Sequence, residues 1–181
     1  MRRITLRRLV LALILINGCL FLRSWWSIPT INEKTDSAFT VFTDHFGRVY
    51  NREVKTPIVF DDLKGKGHQV IAECEWWSDN TKIIRVRHFY WDKFDYFTRE
   101  QLIFHELGHC EFNIMKHNDE VKDTCPASIM RSFIFEPYEI ANCYIPQHDY
   151  YLRELLAEAN SINSLYKKLF YNFLSYPRVV E

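Results

Sequence analysis

A mixed α+β fold is what this chain predicts, and three kinds of stretch carry the prediction. Short β-branched and aromatic runs at 58–60, 70–77 and 83–90 read as strands of a small sheet, mostly antiparallel or mixed. An apolar segment beginning near Thr98 reads as a helix packed on that sheet. From about Gln147 to Leu174, apolar residues recur at helical spacing (Leu152, Leu155, Leu156, Ala159, Ile162, Leu165) and predict a long C-terminal helix, open to a break near Asn160-Ser161.

The remaining elements follow in chain order. Residues 1–8 carry Arg2, Arg3, Arg7 and Arg8, and residues 9–22 are apolar, the layout of an export signal. Three fates are open for 1–27. A retained signal-anchor helix would keep the arginines cytoplasmic, with Trp25 and Trp26 at the far interface. A lipoprotein signal is the second: Ile16-Asn17-Gly18-Cys19 resembles a lipobox in which Cys19 is lipidated. Simple cleavage is the third. Each places the rest of the chain on the periplasmic or extracellular side, and the first two tie it to the membrane through the N-terminal segment. Residues 28–38 read as a linker, and 39–181 as one domain with enough chain for a core. Thr40 to Thr43 and Arg48 to Tyr50 fit either short strands or the end of a helix. Asp61 to Gly67 and Ser78-Asp79-Asn80 are turns. The run Ile83 to Tyr90 either offers its edge to an extended peptide or lies inside the sheet. Thr98 with Gln101 forms a capping-box pattern, and Phe97 with Leu102 a hydrophobic staple.

Charge excludes one class of partner. Lys plus Arg and Asp plus Glu are both 23 among 181 residues, so nothing points to nucleic acid. Oligomeric state is left open.

The chemistry gathers at His105-Glu106-Leu107-Gly108-His109. Two histidines four apart on a helix share one face, a turn apart, and can meet a single ion at about 2.0–2.1 Å. The glutamate between them is free to take a proton from a water and pass it to a leaving amine. Asn113 tolerates the left-handed conformation that ends a helix, so the chain can turn and bring His117 back as a third ligand. Asp119 and Glu139 are the alternatives for that position. His45, His68, His88 and His148 lack ligand spacing. Of five cysteines, Cys19 stands apart in the apolar segment; Cys74, Cys110, Cys125 and Cys143 allow two disulfides in three connectivities, or four buried thiols.

These motifs resemble those of the zincin metallopeptidases, on the metzincin side, over roughly residues 83–131. The pieces are His105-Glu-Leu-Gly-His109, a histidine shortly downstream, and Ser128-Ile129-Met130, which looks like the turn that sets a methionine beneath the metal. The chain is also similar to small bacterial zincin-like proteins with a His-Glu-Leu-Gly-His-Cys core. The resemblance implies a zincin-like fold, Zn²⁺ held by His105, His109 and His117, Glu106 as general base, Met130 under the site, and peptide or protein substrates cut internally. Tyr138 or Tyr144 could assist at the oxyanion or simply pack. Two departures stand out: Phe112 and Met115 occupy the positions of the family's glycine and third histidine, and His117 falls two residues late. Rival readings are a zinc hydrolase of another bond, an inactive relative, and an envelope protein that binds a partner through aromatic segments such as Phe133 to Tyr144.

Overall fold

The computed structural model describes residues 33–174, and side chains to residue 165. The anchor, lipobox and cleavage readings of 1–27 lie outside the described residues, as does the start of the linker. No described helix is long and apolar enough to cross a membrane. The architecture is mixed α+β, as the strand and helix patterns predict. Residues 33–76 and 82–174 make one compact body. The turn Trp77–Thr81 is closed on itself by the Trp77 N–H on the Thr81 carbonyl, with Asn80 left-handed at φ 66°.

Ordered packing starts ahead of Phe39. The Asp36 N–H donates to the Ile58 carbonyl, and the Asp36 carboxylate caps a 3₁₀ turn, Ser37–Phe39. Helix α1, Thr40–Tyr50, follows, so the segment left open between strand and helix is helical throughout. Phe42 and Phe46 fall one turn apart and are buried, and Asn51 at φ 48° ends the helix.

The sheet contains β1 (Ile58–Phe60), β2 (Ala72–Trp76) and β3 (Lys82–Val86) in the order β1-β3-β2. β1 runs parallel to β3, and β2 antiparallel to it. β3 is therefore the central strand. The idea that it offers an edge to a peptide is corrected, because both its edges are already paired; β2 is an edge strand instead. β3 also stops at Val86. The Tyr90 and Trp91 N–H groups both donate to the Arg87 carbonyl, which winds His88–Trp91 into the single turn α2. That turn drops Trp91 into the core against Phe39 and Phe42.

Helix α3, Tyr96–Phe112, crosses the sheet. Its cap is Asp95, whose carboxylate accepts the Thr98 N–H, so Thr98 is a buried residue of the first turn rather than the cap. The Thr98–Gln101 box and the Phe97–Leu102 staple are corrected accordingly. Gln101 faces the interior, where its amide meets the Ile129 carbonyl and the Phe135 N–H. Ile103, Phe104 and Leu107 are fully buried and form the middle of the core with Phe46, Ile84 and Val86. Near the helix's far end, Glu111 takes the backbone N–H groups of Lys55 and Thr56 and the Thr56 hydroxyl, docking the 52–56 loop on α3.

Beyond α3 come a small hairpin, β4 (Val121–Lys122) with β5 (Cys125–Pro126), a turn α4 (Pro137–Glu139), a π-helical turn Ile140–Tyr144, and α5 (His148–Leu174). α5 is continuous through Asn160-Ser161. Its buried stripe is Tyr151, Leu152, Leu155 and Ala159; Leu156 and Leu165 face solvent, so the apolar face is narrower than the sequence suggests.

The cysteines pair Cys74–Cys110 and Cys125–Cys143, one of the three connectivities. The first bond joins edge strand β2 to α3 directly after His109. The second fixes the hairpin to the π-helical turn. Replacing Cys74 and Cys110 together by Ala should cost about 2–4 kcal/mol of folding stability, chiefly by freeing the unfolded chain. Urea denaturation of oxidised wild type against the double variant measures it; a difference under about 1 kcal/mol would contradict the assignment of this bond as a main stabiliser.

Candidate metal centre

The site is built on the middle of α3. His105 and His109 project one turn apart, with their Nε2 atoms 3.0 Å from each other. Asn113 then adopts φ 59°, and the Ile114 N–H returns to the Gly108 carbonyl. This reversal sends residues 114–117 back along the helix. Ile114 is buried as the foot of the arm, and His117 at its end lies with Nε2 3.1 Å from that of His109. One nitrogen from each ring falls within 4.8 Å of the others, so the three histidines could hold a metal ion. Asn113 thus makes the left-handed turn that returns His117 to the helix.

The ring faces turned away from the cluster are occupied. His105 Nδ1 bonds the Ile129 carbonyl at 3.0 Å, and His109 Nδ1 bonds the Ile114 carbonyl. A carbonyl only accepts, so each Nδ1 carries the proton and each Nε2 keeps a lone pair toward the common point. Burial pushes His105 down to about 3, with His109 and His117 adding to the fall and the Ile129 carbonyl opposing it. Burial also lowers His109, against the pull of the Ile114 carbonyl. Neutral imidazoles are the metal-binding form.

Glu106 sits between them, only 5% exposed. Burial raises its carboxyl to about 8; the Cys74 backbone N–H pulls the other way, and Glu73 pushes it further up. Its Oε2 is buried with no hydrogen-bond partner among the described residues. Glu73, Glu154 and Glu158 each have such an oxygen too, but that of Glu106 belongs to the residue between the two helical histidines, where a ligand would take it.

The turn Ser128–Met130 supports the cluster from below. Ser128 Oγ accepts the Met130 N–H, the Ile129 carbonyl holds His105, and the Met130 carbonyl takes the Asn118 N–H at 2.8 Å, steadying the arm. Met130 is fully buried against Gly108. A Cβ at Gly108 would come 2.5 Å from Met130 Sδ and 3.1 Å from Leu155 Cδ1, which is why the motif carries glycine there. From α5, the hydroxyls of Tyr150 and Tyr151 hold the Ala127 and Pro126 carbonyls.

The alternative ligands are occupied elsewhere. Asp119 accepts the Ser132 N–H and hydroxyl at 2.7 and 2.8 Å, and those bonds hold its carboxyl below the usual range. Glu139 pairs with Arg131 at 2.7 Å and takes the Glu136 N–H. Tyr144 is buried and gives its hydroxyl to Glu100; Tyr138 is exposed.

A cleft of about 780 Å³ opens over the histidines. One wall is β2 with the residues leading into it, Gln69 to Trp76. Its floor is α3, with Gln101, Leu102, His105, Glu106 and His109. Met115, Phe133, Ile134 and Glu136 line the remainder.

A second cluster carries no motif in the sequence. Glu100, 1% exposed, receives His45 Nδ1 at 2.7 Å, His148 Nε2 at 2.6 Å and the Tyr144 hydroxyl at 3.2 Å. It ties α1, the π-helical turn and α5 to α3. Its only signal was a carboxylate four residues before Phe104, on the face of α3 that is otherwise apolar.

Fold and site together define an α+β domain whose three histidines could hold a metal ion in an open cleft. No protein-family model, curated protein or solved structure matches the chain.

Proposed function

We propose that this chain is a zinc-dependent endopeptidase of the zincin kind, closest in design to the metzincins. One observation carries the reading: three imidazoles converge beside a buried carboxyl with a free oxygen, on the floor of an open cleft. The donor set fits the ion. Three histidines with an open position suit catalytic zinc, and no soft thiolate competes, since Cys74 and Cys110 are oxidised. His105, His109 and His117 would hold zinc, which when bound lowers the pKa of a water and polarises the substrate carbonyl.

The chain's own groups do the rest. Glu106 takes the proton of the attacking water and returns it to the leaving amine. Its apolar burial favours the protonated acid, which helps the return step, while the Cys74 N–H stabilises the carboxylate needed for the first. Edge strand β2 lies along the cleft and can pair with an extended substrate through main-chain hydrogen bonds. Residues beyond the histidines, among them Met115 and Ile134, also line the cleft, which supports cutting within a chain. Two disulfides support an oxidising compartment, in keeping with an N-terminal tether and a periplasmic or extracellular domain.

Metal analysis tests the centre. The purified full chain should carry one zinc, and chelation should abolish cleavage of a mixed peptide library. His117→Ala should weaken zinc binding by well over the roughly 10–100-fold expected of an outer supporting residue, while Asp119→Ala leaves it unchanged. Absence of stoichiometric metal would favour a partner-binding envelope protein, and zinc without peptide cleavage a hydrolase of another bond or an inactive relative.

A further inference from the structure

Three large apolar side chains stand in solvent around the candidate cleft: Trp76 at 39% exposure, Met115 at 63% and Phe133 at 71%. Core packing does not explain them, and apolar groups gathered at a cleft rim mark a place where something apolar is covered. They fall at two ends. Trp76 and Met115 lie by the C-terminal end of α3, where Lys82 spans the Trp76 ring and the Asn113 side chain. Phe133 lies on the N-terminal side of His105, in the segment that the Phe135 N–H joins to Gln101, one turn before it. Gln101 and Asn113 are about 18 Å apart along the helix, the length of about five extended residues.

Charge in the cleft is one-sided. Among the described lining residues there is no Lys or Arg, whereas Glu73, Glu106 and Glu136 are present. Glu73 is balanced by Lys66 at 3.0 Å. Glu136 lies at the Phe133 end and contacts no cation among the described salt bridges; its carboxylate only caps the turn α4.

We infer that the cleft selects extended polypeptide with a bulky apolar residue on each side of the cleaved bond, and discriminates against acidic residues at the Phe133–Glu136 end. This rests on the peptidase reading and names its substrate class. Phe133 and the Trp76–Met115 pair each cover one apolar side chain, while the strand edge of β2 reads only main chain. An acidic side chain near Glu136 meets like charge, with no lysine or arginine among the described lining residues to receive it; a basic one gains a partner.

The test profiles cleavage of a peptide library by the zinc-loaded full chain, read by mass spectrometry. Cut sites should be enriched in large apolar residues on both sides and depleted of Asp and Glu toward one side. Phe133→Ala should lower kcat/KM about 10–100-fold for peptides with a large residue at that position and leave small ones within about twofold. Glu136→Lys should reverse the charge preference. Equal cleavage of acidic and basic peptides, or a Phe133→Ala profile identical to wild type, would overturn the inference and leave the peptidase reading intact. If the wild type cuts nothing, the peptidase reading fails by itself. Binding of the same fluorescent peptides to zinc-loaded Glu106→Gln then decides the inference: tighter binding of apolar and basic peptides than of acidic ones upholds it, and equal or absent binding overturns it.

Discussion

Replacing Glu106 by Gln should leave zinc in place and reduce turnover by about 10²–10⁴-fold, the range spanned by removal of a positioned general base. The metal should stay because the three-histidine cluster does not include Glu106. The fold should stay because the swap is nearly isosteric at a site with 5% exposure. Without metal, burial already favours the neutral acid, raised to about 8, so a neutral amide costs little there. KM should change less than kcat, since the lost group acts on the proton rather than on the substrate's hold. Metal content, thermal midpoint and steady-state kinetics on one cleaved peptide check the three parts. Turnover within about tenfold of wild type would remove Glu106 from the mechanism.

The second large effect is on stability. Glu100→Ala should cost about 3–5 kcal/mol, because it strips the common partner from His45, His148 and Tyr144 in a buried cluster. The penalty should depend on pH. Burial alone would raise Glu100, but hydrogen bonds and charge from His148 and His45 outweigh it and hold the carboxyl below its usual range. The Glu100 hydrogen bond raises His148, against its own partial burial. A raised histidine adds stability that is complete below its unfolded pKa, about 6.5, and fades as pH climbs through the folded value. A lowered carboxyl adds stability that is present above its unfolded pKa and fades as pH falls through the folded one. The difference between wild type and variant should therefore be greatest between the two transitions, near pH 6, and smaller at a pH above the histidine's folded value. Urea midpoints at both pH values measure it; a difference that does not change with pH would rule out the His148–Glu100 pair as its source.

How far these features could be read beforehand depended on how local they were. His105, Glu106 and His109 are fixed by helix period alone. The turn at Asn113 followed from one residue's tolerance of positive φ, and it brought His117 into range two positions late. The cap was misplaced by three residues because Asp95 and Thr98 are both good caps, and only the Thr98 N–H on the Asp95 carboxylate distinguishes them. Pairing across distance was not legible. Whether β3 is an edge depends on partners 26 and 10 residues away by register, Ile58 with Ile84 and Cys74 with Ile84. Glu100 meets histidines 55 and 48 residues distant, so neither His45 nor His148 had a spacing to recognise. The cysteine connectivity likewise needed β2 laid beside α3.

Two of the three imidazoles belong to a rigid rod, and the third rides on a short tether. His105 and His109 are fixed by the helix and by carbonyls behind them, whereas His117 is exposed and its backbone is steadied mainly through Asn118 on Met130. Loading and escape of an ion would then be governed by the swing of residues 115–117, with Ile114 and the rod left in place. A bidentate half-site would persist after each departure, ready for recapture, so exchange should be quick in proportion to affinity.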